Sequence, residues 1–204
     1  MAIFVGLSSD TMVPELFRCV YHYPGCRESE LAEIAAAHRP VRFGREEIVL
    51  GYGSRANAYY LLATGLARAY VHDFNGREVT TDFFLPGQVM IEVTSLFQRI
   101  PTRTNLQALT EVTGYAIDFE VFQRLYHRFE GFSEWGRAWM SDQLFREKQR
   151  RLDMLTVSAT DRYRALVEEH PQILAQAQLK YVASFLGVTD SSLSRIRKEL
   201  SRKG

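Results

Sequence analysis

The hydrophobic positions of this chain follow two rhythms. Between residues 48 and 117, apolar and β-branched residues come in short runs that alternate with polar ones. Such aromatic and β-branched runs, with glycine at short intervals among them, predict strands at Ile48–Leu50, Ala58–Leu62, Leu66–His72, Glu78–Phe84, Gln107–Leu109 and Thr113–Ile117. Nine of the 13 glycines lie between Gly44 and Gly136, where tight turns would join such strands. Asn75-Gly76 carries the signal of a type I′ hairpin. On either side the helical rhythm rules. Leu31, Ile34 and Ala35 place one apolar face on a helix over Glu28–Arg39, ended by Pro40. Asp118 is placed to cap a helix running to about Arg128. Arg137–His170 has no Gly or Pro, and Trp135, Trp139, Met140, Leu144, Leu152 and Leu155 recur at spacings near three and four. Such a stripe can pack on its own roll of strands or pair with a second copy as a coiled-coil dimer.

Beyond this helix, Ser158 and Asp161 make a capping-box-like start. The next helix turns Tyr163, Leu166 and Val167 inward and stops before Pro171. In the stretch Leu179–Lys198, counting Leu179 as position one, Ala183 falls at five and Gly187 at nine. Apolar residues fall at four, eight, ten, fifteen and eighteen. Two helices that cross closely need a small residue at the fifth position and a glycine-tolerant, left-handed turn at the ninth. The apolar positions would fill the wedge between them. Thr189 can cap the second helix, leaving Asp190, Ser191, Ser194, Arg195 and Lys198 on its outer side. Arg195 can bridge two acceptors on guanine in a major groove, and the serines can reach bases or phosphates. Arg197, Lys198, Arg202 and Lys203 suit phosphates.

Charge sharpens this reading. The net charge of +1 conceals a balance of −4 over residues 1–135 and +5 over 136–204, with no lysine before Lys148. A polyanion would therefore meet the C-terminal part, although a basic helix face can also be plain solvated surface. The composition, 46% hydrophobic and 24% charged, is globular. The longest stretch without Asp, Glu, Lys or Arg is Ala56–Ala67, too short to span a bilayer. Met1–Leu7 lacks the basic flank of a signal peptide. Cys19 and Cys26 stand alone, without zinc-ligand spacing. A cytoplasmic location, with no membrane contact and no metal, is the expectation.

The run Arg162-Tyr163, His170-Pro171, Lys180–Thr189 and Ser192–Lys198 resembles the helix-turn-helix of the Crp/Fnr family of bacterial transcription regulators, especially its Bacteroidetes branch. Gly44, Gly65, Asn75-Gly76 and Phe84-Leu85-Pro86-Gly87 fall where that family's cyclic-nucleotide-binding β-roll carries its glycines. The resemblance implies an α+β chain with a double-stranded β-roll sensor domain over 1–131, a dimerisation helix over 132–157 and a helix-turn-helix domain over 158–204. It implies a homodimer acting on a palindromic double-stranded DNA site, with RNA polymerase as a further partner. Two departures stand out. Only four residues follow Leu200, leaving the family's wing reduced or absent. Asp190 and Ser191 replace an Arg and a Glu, so the preferred site should differ from that of catabolite activators.

The family's phosphate cassette corresponds to Gly87–Val93 and Arg103-Thr104-Asn105. Glu92, Arg103 and Thr104 keep its chemistry for cAMP or another cyclic nucleotide. Ile91 replaces a glycine and Asn105 an alanine, and Glu147-Lys148 falls where the purine-facing Thr-Ser pair belongs. The favoured reading is a roll that no longer binds nucleotide, with Arg103 and Glu92 joined as an ion pair. An iron–sulfur centre needs about four cysteines. His22, His38, His72 and His127 could serve haem but read more simply as surface or packed side chains. No nucleophile-elbow, Walker, dinucleotide or HExxH motif is present, so an enzyme is not expected. The alternative is a cyclic-nucleotide-sensing module that acts on a protein partner rather than DNA.

Overall fold

A computed structural model describes residues 14–202. Two short helices, α1 (Glu15–Val20) and α2 (Glu28–Ala36), lead into strands β1 (Arg39–Phe43), β2 (Ile48–Leu50), β3 (Ala58–Thr64), β4 (Ala67–His72), β5 (Glu78–Phe84) and β6 (Val89–Met90). Helix α3 (Val93–Gln98) precedes β7 (Asn105–Ala108) and β8 (Val112–Asp118). The rest is helical: α4 (Phe119–Arg128), α5 (Glu130–Thr156), α6 (Ala159–Glu169), α7 (Pro171–Gln176), α8 (Leu179–Phe185) and α9 (Asp190–Leu200). Two four-stranded antiparallel sheets, β1-β8-β3-β6 and β2-β7-β4-β5, face each other as a roll.

Alternation along β3 explains how the roll is both filled and covered. Leu62 joins Ala67, Ala69, Met90, Leu106 and Val112 in the core between the sheets. Tyr59 and Leu61, on the other face, pack under the helices with Phe17, Ile34, Phe122 and Phe132. A third core unites Leu66, Leu85 and Leu109 of the roll with Tyr163, Tyr181, Leu193 and Ile196 of the C-terminal helices.

Several elements depart from the sequence expectation. Helix α2 stops at Ala36, and Pro40 lies inside β1, which pairs with β8 alone. An edge strand can spare the N–H that proline lacks. The β4–β5 hairpin forms, but its turn is not type I′, because Gly76 has a positive φ and Asn75 does not. Instead the Asp73 carboxylate accepts the N–H groups of Asn75 (2.8 Å) and Arg77 (2.9 Å) and shapes a longer loop. Asp118 occupies the N-cap of α4 without accepting a backbone N–H; its carboxylate faces the Arg39 guanidinium at 3.7 Å. Val167, expected inward on α6, is exposed.

The apolar stripe read along the long helix divides in two. Trp135 is buried, stacks on Phe132 with centroids 5.3 Å apart, and donates its indole N–H to Val20 O at 2.7 Å. Trp139 stacks beside it against the same core. Met140, Leu144, Leu152 and Leu155 remain exposed, as does Phe145; Leu155 keeps 80% of its surface and Leu144 69%. At about 100° per residue, Trp139 falls about 40° from Trp135, whereas Met140, Leu144, Leu152 and Leu155 fall about 140–260° round the helix, on its other side. The two tryptophans are thus spent on the roll. No helix among the described residues is long and apolar enough to cross a membrane.

Candidate nucleic-acid interface and effector cassette

Helix α8 ends in a Schellman motif: Gly187 N–H donates to Ser184 O (3.1 Å) and Val188 N–H to Ala183 O (3.0 Å). Gly187 takes the left-handed conformation this closure needs, with φ +67°. Ala183 has no exposed surface, as the helix crossing demands. Two residues on, the Thr189 hydroxyl accepts the Ser192 N–H at 3.2 Å and starts α9. Leu193 and Ile196 are buried, so the opposite face must point outward. Asp190, Ser191, Ser194, Arg195 and Lys198 lie exposed there, and Arg197 is exposed at its flank, next to buried Ile196. Arg195, Arg197 and Lys198 form no ion pair with any described residue, which leaves three cations free on one helix. Arg202 is exposed beyond its end, and Lys203 lies outside the described residues.

Arg162, one of the residues behind the family resemblance, fixes this unit to the long helix. Its guanidinium donates to Val157 O and Asp153 O at the end of α5 and to Leu186 O (2.9 Å) at the end of α8. Carbonyls at helix C-termini carry partial negative charge, so one arginine satisfies both ends.

Sequence reasoning missed how α8 meets the roll. The Ser184 hydroxyl accepts the Thr80 N–H at 3.1 Å. Phe185 packs on Phe83, with centroids 5.1 Å apart, and lies under the Arg150 guanidinium, which also reaches Asp82 at 3.3 Å. At the centre, Arg68 of β4 is fully buried. It lies over the rings of Tyr70 (4.1 Å) and Tyr181 (3.6 Å), donates to Gln107 Oε1 (2.9 Å) and Thr80 Oγ1 (3.3 Å), and pairs with Glu78. The available signal was one arginine amid alanines in a strand.

Each of the cassette residues has its own local surroundings. Glu92 caps α3, its carboxylate accepting the Ser95 N–H at 2.6 Å. Ser95 Oγ in turn accepts the Ala56 N–H (2.9 Å) and donates to Ile100 O (2.6 Å), which ties the cassette loop down. Arg103 is exposed and makes no ion pair with Glu92, contrary to the pairing expected from sequence. The Thr104 N–H donates to Thr102 Oγ1 at 2.9 Å. Ile91 turns its side chain under α3, into the helical core. Asn105 accepts the Tyr52 N–H at 2.8 Å and buries its amide nitrogen without a partner. Glu147 and Lys148 are exposed on α5. Glu92 is thus held as a cap, and Arg103 stands exposed to water. Of the candidate haem ligands, His38 is packed inside the protein.

Comparison with known proteins agrees with this architecture. Residues 40–129 match the cyclic nucleotide-binding domain family. FixK2 from Bradyrhizobium japonicum is similar at 19% identity and a TM-score of 0.71, covering 82% of this chain and 86% of its own. A protein from Eubacterium rectale described as a transcriptional regulator of the crp/fnr family gives 13% identity and 0.69, over 88% and 85%. The catabolite activator protein of Thermus thermophilus gives 20% and 0.58, over 91% and 88%. No curated protein matches the chain by sequence. The molecule is therefore an α+β protein that shares the fold of these Crp/Fnr-type structures, and its roll, over residues 40–129, is similar to the cyclic nucleotide-binding domain family.

Proposed function

We propose that this protein is a homodimeric, sequence-specific transcription regulator of the Crp/Fnr type, without enzymatic activity. The observation that carries the reading is helix α9: seated on its buried Leu193 and Ile196, capped by Thr189, it presents Arg195, Arg197 and Lys198 unpaired beside Ser191 and Ser194. Arg195 reads a base edge, while Arg197, Lys198 and Arg202 meet phosphates. Asp190 accepts from cytosine and disfavours other bases.

Met140, Leu144, Leu152 and Leu155 form the dimer seam with the matching helix of a second copy. Two copies of α9 then enter successive major grooves about 34 Å apart, which calls for a palindromic site. Glu92, Arg103 and Thr104 are vestiges of a nucleotide cassette, and cAMP is not the signal. RNA polymerase is the natural further partner, and the cytoplasm the place of action.

Selection of sites from a random duplex pool, with and without cAMP, tests all of this. A palindromic motif recovered equally in both arms is expected. The same motif recovered only with cAMP would restore the cassette. Failure to enrich any motif in either arm would overturn the DNA-binding reading in favour of a module that acts on a protein partner.

A further inference from the structure

Where α3, α4 and α5 meet over β3 and β6, the aromatic residues leave a gap rather than closing on one another. The cavity holds about 240 Å³. Its walls are the stacked Trp135 and Trp139, Phe97 and Phe122 in edge contact, Tyr126 and Ile91. No charged residue lines it, and the one amide at its edge, that of Gln123, hydrogen-bonds to no described residue. Gly136 forms part of the floor because a Cβ there would stand 2.6 Å from the Tyr126 ring, so packing is tight around the void. Ile91, whose side chain departs from the cassette glycine, is one of the groups that make it apolar.

We propose that this cavity is a binding site for a small, uncharged aromatic molecule of two fused rings bearing one hydroxyl. The size follows from volume. An apolar cavity of about 150 Å³ stays dry and accepts benzene, so the larger space here suits a bicyclic ring. The charge follows from the walls: an ion would lose its hydration with no partner to replace it. Aromatic walls meet a flat ring face-on and edge-on, and Gln123 supplies the hydroxyl with a partner. A second copy of the chain is not the occupant. Trp135, Gly136, Trp139 and Met140 line the cavity; only Met140 is shared with the dimer seam, whose exposed Leu144, Leu152 and Leu155 lie outside the lining. The proposal is independent of the DNA-binding reading and stands or falls without it.

Isothermal titration of the full chain with 2-naphthol, naphthalene and 2-naphthoate tests it. Both neutral probes are expected to bind once per protomer, with Kd on the order of 10 µM, and the carboxylate at least tenfold more weakly. Val93→Phe, on the wall contributed by α3, should fill the space and weaken both neutral probes by tenfold or more. Gln123→Leu should weaken 2-naphthol about fivefold and leave naphthalene unchanged, a contrast that misfolding cannot produce. Equal binding of naphthol and naphthoate, no heat from either neutral probe, or Gln123→Leu affecting both neutral probes alike would overturn the proposal. So would naphthol affinity that falls as protein concentration rises, since a second copy would then be competing for the site.

Discussion

His38 shows what one buried side chain can do to the pH response. Its Nδ1–H donates to Ile34 O at 2.7 Å, and its Nε2 accepts from the Tyr21 hydroxyl at 2.7 Å, which itself meets the Tyr59 hydroxyl at 2.9 Å. Burial pushes the imidazole down to about 4, with the Ile34 carbonyl opposing the shift. The folded state therefore resists a proton that the unfolded chain accepts near 6.5. The His38 contribution is full above pH 6.5 and is lost as the pH drops towards 4, by about 3 kcal/mol; Asp82, pushed up to about 6 by burial, opposes it over the same range. Urea titrations of the parent and of His38→Gln should diverge across that range, the parent losing stability relative to the variant as the pH falls. Arg162 lends itself to a simpler test. Its charge-assisted bonds to the ends of α5 and α8 predict a loss of about 2 kcal/mol for Arg162→Ala, measured by chemical denaturation. Arg195→Ala belongs to function instead. It should cost about 1–3 kcal/mol of DNA affinity and relax one base position, read by repeating site selection; equal losses on every sequence would make Arg195 a phosphate contact.

At the level of elements, legibility depended on whether the deciding interaction was local. The α8–α9 turn could be read because a small residue, a glycine and apolar positions at fixed spacing are backbone requirements, and Ala183 and Gly187 meet them. Replacing Gly187 by alanine should cost about 1–2 kcal/mol, since an L side chain is strained at positive φ, and thermal unfolding would show it. Strands β2 and β5 were legible to the residue, as aromatic and β-branched runs bounded by turn residues. Strand β1 was hidden because Pro40 looks like a helix stop, and only its edge position makes that residue tolerable. The cassette was legible as a motif but its partners were not: Glu92 caps α3 by accepting the Ser95 N–H, and Arg103 is exposed rather than paired with Glu92. Helix α5 shows the same limit. Periodicity located the stripe but could not divide it between roll and solvent. The exposed half carries its own test. Leu144→Glu with Leu155→Glu should turn a dimer into a folded monomer in sedimentation, whereas Trp135→Ala should lower stability by about 3 kcal/mol.

Across the whole molecule, the roll and the helix-turn-helix unit share a core, and Arg68 lies at its centre. Its burial between the rings of Tyr70 and Tyr181 is tolerable only because Gln107, Thr80 and Glu78 all receive its N–H groups. The contact uses α8 and leaves the outer face of α9 open, so docking orients the cationic helix without masking it. Arg68→Met should remove about 3 kcal/mol through lost charge-assisted bonds and cation–π contacts. The distribution of that loss matters more than its size. If Arg68 chiefly joins the two units, amide exchange should quicken in β4, β5 and α8, while Ile34, Leu61 and Phe132, in the core under α2 and α5, keep their protection. A uniform rise across both cores would mean that Arg68 supports the roll alone. In the first outcome the two copies of α9 lose their fixed separation. Site selection should then recover the same half-sites with less strict spacing, because a loosened joint changes where the helices sit and not what they read.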